Sequence, residues 1–394
     1  MKILVISQYF YPENFRINDF VESLSKKNHS ITVLTAIPNY PSGKRFGEYK
    51  LFKDKYKDID LIRIPIFARG SNKFSLFLNY VSFFISAMIF YPILIGFRKF
   101  DHVFCPLYSP PTNGFVGMFA CFISKAKLSI WIQDLWPESL DITTKNTPKL
   151  FTGSLKKFMK ILYNKSSMIF IQSEMFKKEI KKYDIDESKI IYFPNWAENI
   201  FKEVDKSHNP RNTLKRSVLF AGNIGEAQNM EFILDLVNKS KNLNLKWVFV
   251  GDGSKYNWLK KEVSAQGLSH CVEILGRKPL EEMPNLFNNN DFMLVSLKND
   301  EIINKTLPGK VQSYMISKKP IIGIIGGEAK RVIETSDCGI VLDVLDADRS
   351  FEILKDFLNL KQSDHIKMGK NGYKFYRKNF DKDVLINRFD KLIS

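Results

Sequence analysis

The residues best suited to chemistry sit between Asn299 and Pro320, in the stretch NDEIINKTLPGKVQSYMISKKP. Lys305 and Lys310 bracket Thr306, Leu307, Pro308 and Gly309. Thr306 predicts a helix N-cap with Pro308 in the first turn. A helix opening there offers unused N–H groups and the positive end of its dipole, and the two lysines add formal charge. The chemistry is capture of an anion, read here as a phosphorylated ligand. The plainer alternative is a surface helix with ordinary lysines. A second patch is Gly222-Asn223-Ile-Gly225-Glu-Ala-Gln228-Asn229, joined by Gly251-Asp-Gly253 and by Arg277. Its glycines permit close backbone approach to a ligand, although a lone GxxG is unspecific. Asp134 directly follows an apolar run and could orient or deprotonate a hydroxyl; otherwise it is a helix-starting carboxylate beside a Trp-Pro turn. Glu13, Asn14 and Arg16 fall in the loop YFYPENFRI, and Tyr40 in the Pro/Gly-rich loop Ile37–Glu48. Loops of this kind bind ligands more often than they merely connect.

The elements that must hold these groups read as alternating strands and helices. Lys2–Gln8, Ser30–Thr35, Asp60–Ile66, Asp101–Pro106, Leu128–Gln133, Ser167–Ser173 and Ile190–Phe193 read as strands, with helices over Asp19–Lys27, Lys156–Asn164 and Lys177–Lys182. Asn199–Arg216 has the composition of a linker. A second series follows: strands at Ser217–Ala221, Leu245–Val250, Val272–Leu275, Phe292–Ser296, Pro320–Ile325 and Gly339–Leu342, with a last helix from about Val384 to Ser394. Each half opens like a Rossmann-type sheet, and each puts its polar loops at strand ends. Neither carries GxGxxG, which argues against a dinucleotide site.

At 394 residues and 44% hydrophobic, two domains with real cores are expected. A net charge of +17 favours an anionic partner: nucleic acid, an acidic membrane or phosphorylated small molecules. The lysines are dispersed, with no basic tail, RNA-binding signature or zinc spacing, which counts against nucleic acid. Cys105, Cys121, Cys271 and Cys338 form no CxxC pair, so buried free thiols in a reducing compartment and no metal are expected. Met1-Lys2 leads straight into a four-residue apolar strand, which leads us to expect a cytoplasmic protein. Ser75–Phe97 holds 23 residues without a charge. That is long enough for a membrane span. The strands on either side belong to one sheet, so the choice lies between a buried helix and one dipping into a membrane face.

With these residues in hand, the chain resembles the GT-B glycosyltransferases of family 4. The second half does so through VLFAGNIGEAQN, WVFVGDGSKYNWLKK, ILGRKPLEEMPNLFNNNDFMLVSL and GKVQSYMISKKPIIG; the first half through YFYPEN, HSITVLTAIPNYPSG and IQDLWPES. GNIGEAQN and TLPGKVQSYM look most like WbuB-type enzymes of O-antigen and capsule assembly, which use UDP-linked N-acetyl-L-fucosamine. The resemblance implies an α/β fold of two Rossmann-like domains with parallel sheets facing across a cleft. Residues 1–198 would bind the acceptor and 199–375 the nucleotide sugar, with 376–394 returning to the first domain. It implies a retaining transfer with no obligatory metal or other cofactor, a UDP-sugar donor, a lipid diphosphate-linked saccharide acceptor, and a site at the cytoplasmic face of the inner membrane. The family's two glutamates, eight residues apart at the crossover, are Lys305 and Ser313 here; Asp300 and Glu301 are the nearest acids, and Glu301 becomes a candidate for the first. The family's Arg and Lys for the donor diphosphate fall near Asn223 and Asn229, so Arg277, Lys305 or Lys310 would supply the charge. Lys310 and Asp134 are the further catalytic candidates. Glu13, Asn14, Arg16 and Tyr40 would line the acceptor side, while the donor would touch Gly222–Gly225, Gln228, Asn229, Gly251, Arg277 and 305–310. Two rivals share the architecture: a nucleotide-sugar 2-epimerase, and a non-catalytic partner subunit that binds nucleotide sugar.

Overall fold

The computed structural model describes residues 1–41, 43–44, 58–70, 72–96, 98–140, 149–203 and 215–394. Much of the expected linker Asn199–Arg216, part of the loop Ile37–Glu48, and Phe97 lie outside the described residues. The chain divides into two units, Met1–Pro194 with Asp383–Ser394, and Asn195–Lys382.

In the first unit the strands are β1 (Lys2–Ser7), β2 (Ser30–Ala36), β3 (Ile59–Ile64), β4 (His102–Leu107), β5 (Lys127–Ile132), β6 (Met168–Ile171) and β7 (Ile190–Tyr192). They form one parallel sheet in the order β3-β2-β1-β4-β5-β6-β7, with Lys2 opposite Ser30 and Ile3 opposite His102. The helices are α1 (Arg16–Ser25), α2 (Lys73–Phe90), α3 (Thr112–Ser124), α4 (Lys149–Lys165) and α5 (Met175–Lys181). Strands this apolar are buried on both faces, as a parallel sheet requires. On one face Cys105, Ile130 and Ile169 pack with Phe83 and Ala87 of α2, Tyr91 just after it, Val116 and Ala120 of α3, and Met159 and Leu162 of α4. On the other, Phe104 stacks on Phe20 of α1 at 4.3 Å between ring centres, with Trp131, Phe170 and Phe193 beside them.

The second unit carries β8 (Arg216–Ala221), β9 (Leu245–Val250), β10 (Val272–Gly276), β11 (Phe292–Ser296), β12 (Ile321–Ile324) and β13 (Gly339–Val341), all parallel, in the order β10-β9-β8-β11-β12-β13. Its helices are α6 (Met230–Lys239), α7 (Tyr256–Ala265), α8 (Met283–Asn288), α9 (Gly309–Ile316), α10 (Gly327–Ser336), α11 (Ala347–Asn359) and α12 (Gln362–Asn379). Leu280–Glu282 is a separate 3₁₀ turn before α8.

The helix α13 (Lys382–Ile393) belongs to the first unit. The return begins at Asp383 rather than at 376, because α12 stays on the second unit: Gly369 lies against the Lys318 backbone and Gly372 against Met315 and Cys338. Phe389 of α13 closes on Phe20, Phe104 and Phe170 at 4.8–5.2 Å. Asp390 pairs with His29 at 2.7 Å.

Candidate functional site

Both sheets reverse strand order once, between β1 and β4 and between β8 and β11. In an open α/β sheet, ligands bind outside the carboxyl ends of the strands at that reversal. Each unit therefore has one place where chemistry is expected.

At the second unit's reversal, Gly222 ends β8 and Lys310 opens α9 after β11. The lysine is half-buried, with its ammonium 3.9 Å from the Phe220 ring centre. Burial alone draws its pKa down to about 7. Among the described residues it has no ion-pair partner. A Cβ at Gly222 would lie 2.5 Å from Lys310 Cε, and Gly222 holds φ +137°. The glycine is thus the notch that admits the lysine. Gly251 serves a similar purpose: a Cβ there would lie 1.7 Å from the Gly222 carbonyl oxygen. The close approach expected to a ligand is, in these two cases, an approach of protein to protein. Tyr314 of α9 braces the arrangement, its hydroxyl accepting from the Ala221 N–H at 3.3 Å and lying 3.3 Å from the Leu294 carbonyl oxygen.

Counting backbone donors revises the expected phosphate cradle. The N–H groups of Gly222, Ile224 and Gly225 already donate to Val250 O, Asp252 O and Gln228 Oε1. Thr306 N–H donates to Ile303 O, and Pro308 has none to give. Thr306 is not the N-cap: it ends a 3₁₀ turn over Ile303–Lys305, and Pro308 caps a helix that starts at Gly309. The helix itself leaves the first-turn amides of Gly309 and Lys310 unused. A side chain at 309 would meet nothing within 4 Å, so the space beside that turn is open.

The remaining predicted donor residues divide. Lys305 is buried and pairs with Glu301 at 2.9 Å, so its charge is already balanced; Glu301 is otherwise exposed. Asp300 accepts from the N–H groups of Ile302 and Ile303, which commits it to the 3₁₀ turn. Leu307 is buried. Asn223 donates to Gln228 at 3.1 Å, Asn229 caps α6 in a left-handed conformation, and Arg277 is exposed. Sequence reading missed Glu198, whose carboxylate accepts from Ser313 Oγ at 3.2 Å. It is remote in sequence from the crossover, so no local spacing could reveal it. Phe220, the ring under Lys310, was read only as part of a strand.

At the first unit's reversal, Tyr9, Phe15, Tyr40 and Tyr108 form an aromatic cluster; Phe15 stacks on Tyr9 at 4.6 Å. Arg69 bonds the Tyr80 hydroxyl at 3.0 Å and lies over the Tyr40 ring at 5.1 Å. Glu13 is buried. One of its oxygens accepts from Asn39 N–H and Tyr40 N–H at 2.8 and 2.7 Å, the other from Phe10 N–H at 3.3 Å. Burial raises its pKa and these three donors oppose the rise. The carboxylate expected to meet a ligand is a clasp between two loops. Asn14 is exposed and Arg16 half-buried at the start of α1. Asp134 accepts from Ser109 Oγ at 2.7 Å and from its N–H at 3.1 Å, and Trp136 donates to the same hydroxyl at 2.8 Å. Burial raises the Asp134 pKa, with both Ser109 donors lowering it. Asn79, on the segment that could have been a span, donates to Phe67 O at 2.6 Å and accepts from Gln8 at 2.9 Å.

Residues 201–375 match the family described as glycosyl transferases, group 1. The chain is 25% identical over 354 residues to the "Putative colanic acid biosynthesis glycosyl transferase WcaI" of Escherichia coli K12, covering 84% of this chain and 82% of that protein. Among solved structures, a glycosyltransferase from Rickettsia africae superposes with a TM-score of 0.73 at 15% identity, covering 100% of this chain and 97% of that one. Anabaena Alr3699/HepE, solved in complex with UDP and glucose, gives 0.69 at 12%, covering 100% and 99%.

Proposed function

We propose that this chain, whose residues 201–375 match the group 1 glycosyl transferases and whose fold is that of GT-B glycosyltransferases, moves a sugar from a UDP-linked donor to a lipid diphosphate-linked saccharide during assembly of a bacterial surface polysaccharide. The observation that carries the donor half is Lys310: a half-buried amine with no ion-pair partner among the described residues, at the strand-order reversal, beside first-turn amides and open space. A dianionic diphosphate is the partner such a group lacks. HepE was solved with UDP on the same fold, and the WcaI relative is named for colanic acid biosynthesis.

In this reading Lys310 and the Gly309 and Lys310 amides hold the diphosphate. The ammonium counters the charge that grows as the glycosidic C–O bond breaks and the nucleoside diphosphate leaves. Glu198, set by Ser313, accepts from the ribose hydroxyls, a task carboxylates perform at such sheet edges; it supplies the acid that the family pattern would place at 313. The acceptor goes to the first unit's aromatic edge, where the half-buried rings of Phe15, Tyr40 and Tyr108 are suited to a saccharide. Asp134 orients the acceptor hydroxyl, and the leaving phosphate takes its proton in a family 4, retaining reaction. The enzyme works peripherally on the cytoplasmic face of the inner membrane. No resident metal is required, since Lys310 supplies the cation.

The test is transfer by purified protein from UDP-N-acetyl-L-fucosamine to a lipid diphosphate-linked N-acetylglucosamine, with chelator and then with divalent metal. Product with chelator supports the full reading. UDP binding without product across a panel of UDP-sugars and lipid-linked acceptors would overturn the proposed donor–acceptor pair.

A further inference from the structure

The first unit's α2, α3 and α4 are neighbours on one face of its sheet, and residues 73–95, 112–124 and 149–165 contain no Asp or Glu. Lysines fill the gap: Lys125 ends α3, and Lys156, Lys157, Lys160 and Lys165 lie exposed along α4, with Lys160 reaching Asp184 of a neighbouring loop at 3.9 Å. The opposite helices are not like this, since α1 carries Asp19 and Glu22 and α13 carries Asp383 and Asp390.

The helix α2, with the π-type turn Tyr91–Ile95, has an inner ridge and an outer one. Asn79, Phe83, Ala87, Tyr91 and Ile95, four residues apart, are buried on the sheet. Phe74, Phe77, Ile85, Ile89 and Ile93 face outward; Phe74 is 70% exposed, Phe77 60% and Ile93 68%. Phe122 of α3 is 73% exposed, with the Lys125 ammonium 5.0 Å from its ring centre. Each of the three helices follows a strand's carboxyl end and returns to the next strand's amino end, so Ile93, Arg98, Lys99, Phe122, Lys125 and Lys165 gather at the same end of the layer. A patch of this size on a soluble surface marks an interaction site.

We infer that this acid-free layer is the enzyme's docking surface for an anionic phospholipid bilayer, with α2 lying in the interface. The outer ridge enters the acyl boundary and the lysines of α3 and α4 meet the headgroups, the pattern of an interfacial helix. A second copy of the chain fits the same face poorly, because it would set lysines against lysines. A spanning helix is excluded by the buried inner ridge and by the Asn79 bonds to Gln8 and Phe67. The inference deepens the peripheral placement proposed above, and its test needs neither donor nor acceptor.

The full chain should sediment with vesicles of phosphatidylglycerol and phosphatidylcholine in equal parts, and far less with phosphatidylcholine alone. Phe77→Glu with Ile89→Glu changes only outward positions. It should weaken binding by roughly tenfold or more, the effect of taking two large apolar groups out of a non-aqueous environment. Lys156→Glu with Lys157→Glu should weaken it by roughly fivefold per lysine at low salt. An unchanged circular dichroism spectrum and unchanged UDP affinity confirm that each variant is folded, and they separate a failed docking face from a failed donor site. The inference is overturned if the wild type stays in the supernatant with anionic vesicles, if the Phe77→Glu/Ile89→Glu protein binds like the wild type, or if ultracentrifugation shows a dimer that this pair dissociates.

Discussion

The two strand-order reversals occupy equivalent places in their sheets yet treat charge in opposite ways. At the first, each charged group already has an occupation: Glu13 clasps three backbone N–H groups, Asp134 holds Ser109, and Arg69 rests among tyrosines. At the second, Lys310 sits on a benzene ring with no counter-charge among the described residues. A buried charge without a partner costs stability, and a site retains it where a ligand supplies the missing half. A satisfied, aromatic edge suits a neutral polyol instead. The contrast supports the proposal that the anionic substrate goes to one unit and the sugar acceptor to the other.

The sharpest way to break that contrast is Lys310→Met, which keeps the stem and removes the charge. It should lower kcat/KM by roughly 10²–10³-fold, the scale of losing one preorganised charge contact, while the melting temperature holds or rises. A variant that melts early and still turns over would dissolve the distinction. The pH dependence sharpens it. The folded pKa of Lys310, about 7, lies below its unfolded value. Between the two the unfolded chain binds more protons, so its burial penalty is fully present below pH 7 and is relieved as pH rises toward the unfolded pKa. A diphosphate raises the folded pKa again, so UDP binding above pH 7 should take up a proton. Calorimetry in buffers of different ionisation enthalpy reads that uptake, and Lys310→Met should abolish it.

Glu13→Gln tests the other edge. One clasp oxygen becomes a donor, which should destabilise the first unit by roughly 1–3 kcal/mol. UDP affinity should not change, and a melting curve with a UDP titration checks both. The smallest effect expected is that of Ser313→Ala. It removes one hydrogen bond to Glu198 and should weaken UDP binding by roughly 2–10-fold, equivalent to about 0.5–1.5 kcal/mol, with binding of 2′-deoxy-UDP weakened less.

Strands were legible because buried parallel strands are short apolar runs bounded by Gly, Pro or polar residues: Leu245–Val250 and Phe292–Ser296 stand as read. The helix α12 was not, because its buried face is His365, Gly369, Gly372 and Tyr376, small or polar residues without an apolar stripe. Within the site, Lys310 could be found from its place at a helix start. Its burial could not, since that depends on Gly222 and Phe220, some ninety residues earlier. Nor could the occupied amides, whose acceptors Val250 and Asp252 lie at the end of β9 and in the loop after it. The place of α2 was ambiguous because composition reports that a segment is apolar and not which of its faces is covered.

Phe389 has a consequence for how the molecule is made. It fills the aromatic layer under Phe20, Phe104 and Phe170. Synthesis therefore delivers the first 194 residues long before the group that closes their core. The second unit can complete itself on the ribosome while the first waits with an open, greasy socket, reversing the usual order in which the earliest domain finishes first. Until residue 389 emerges, that socket is a surface for chaperones to hold.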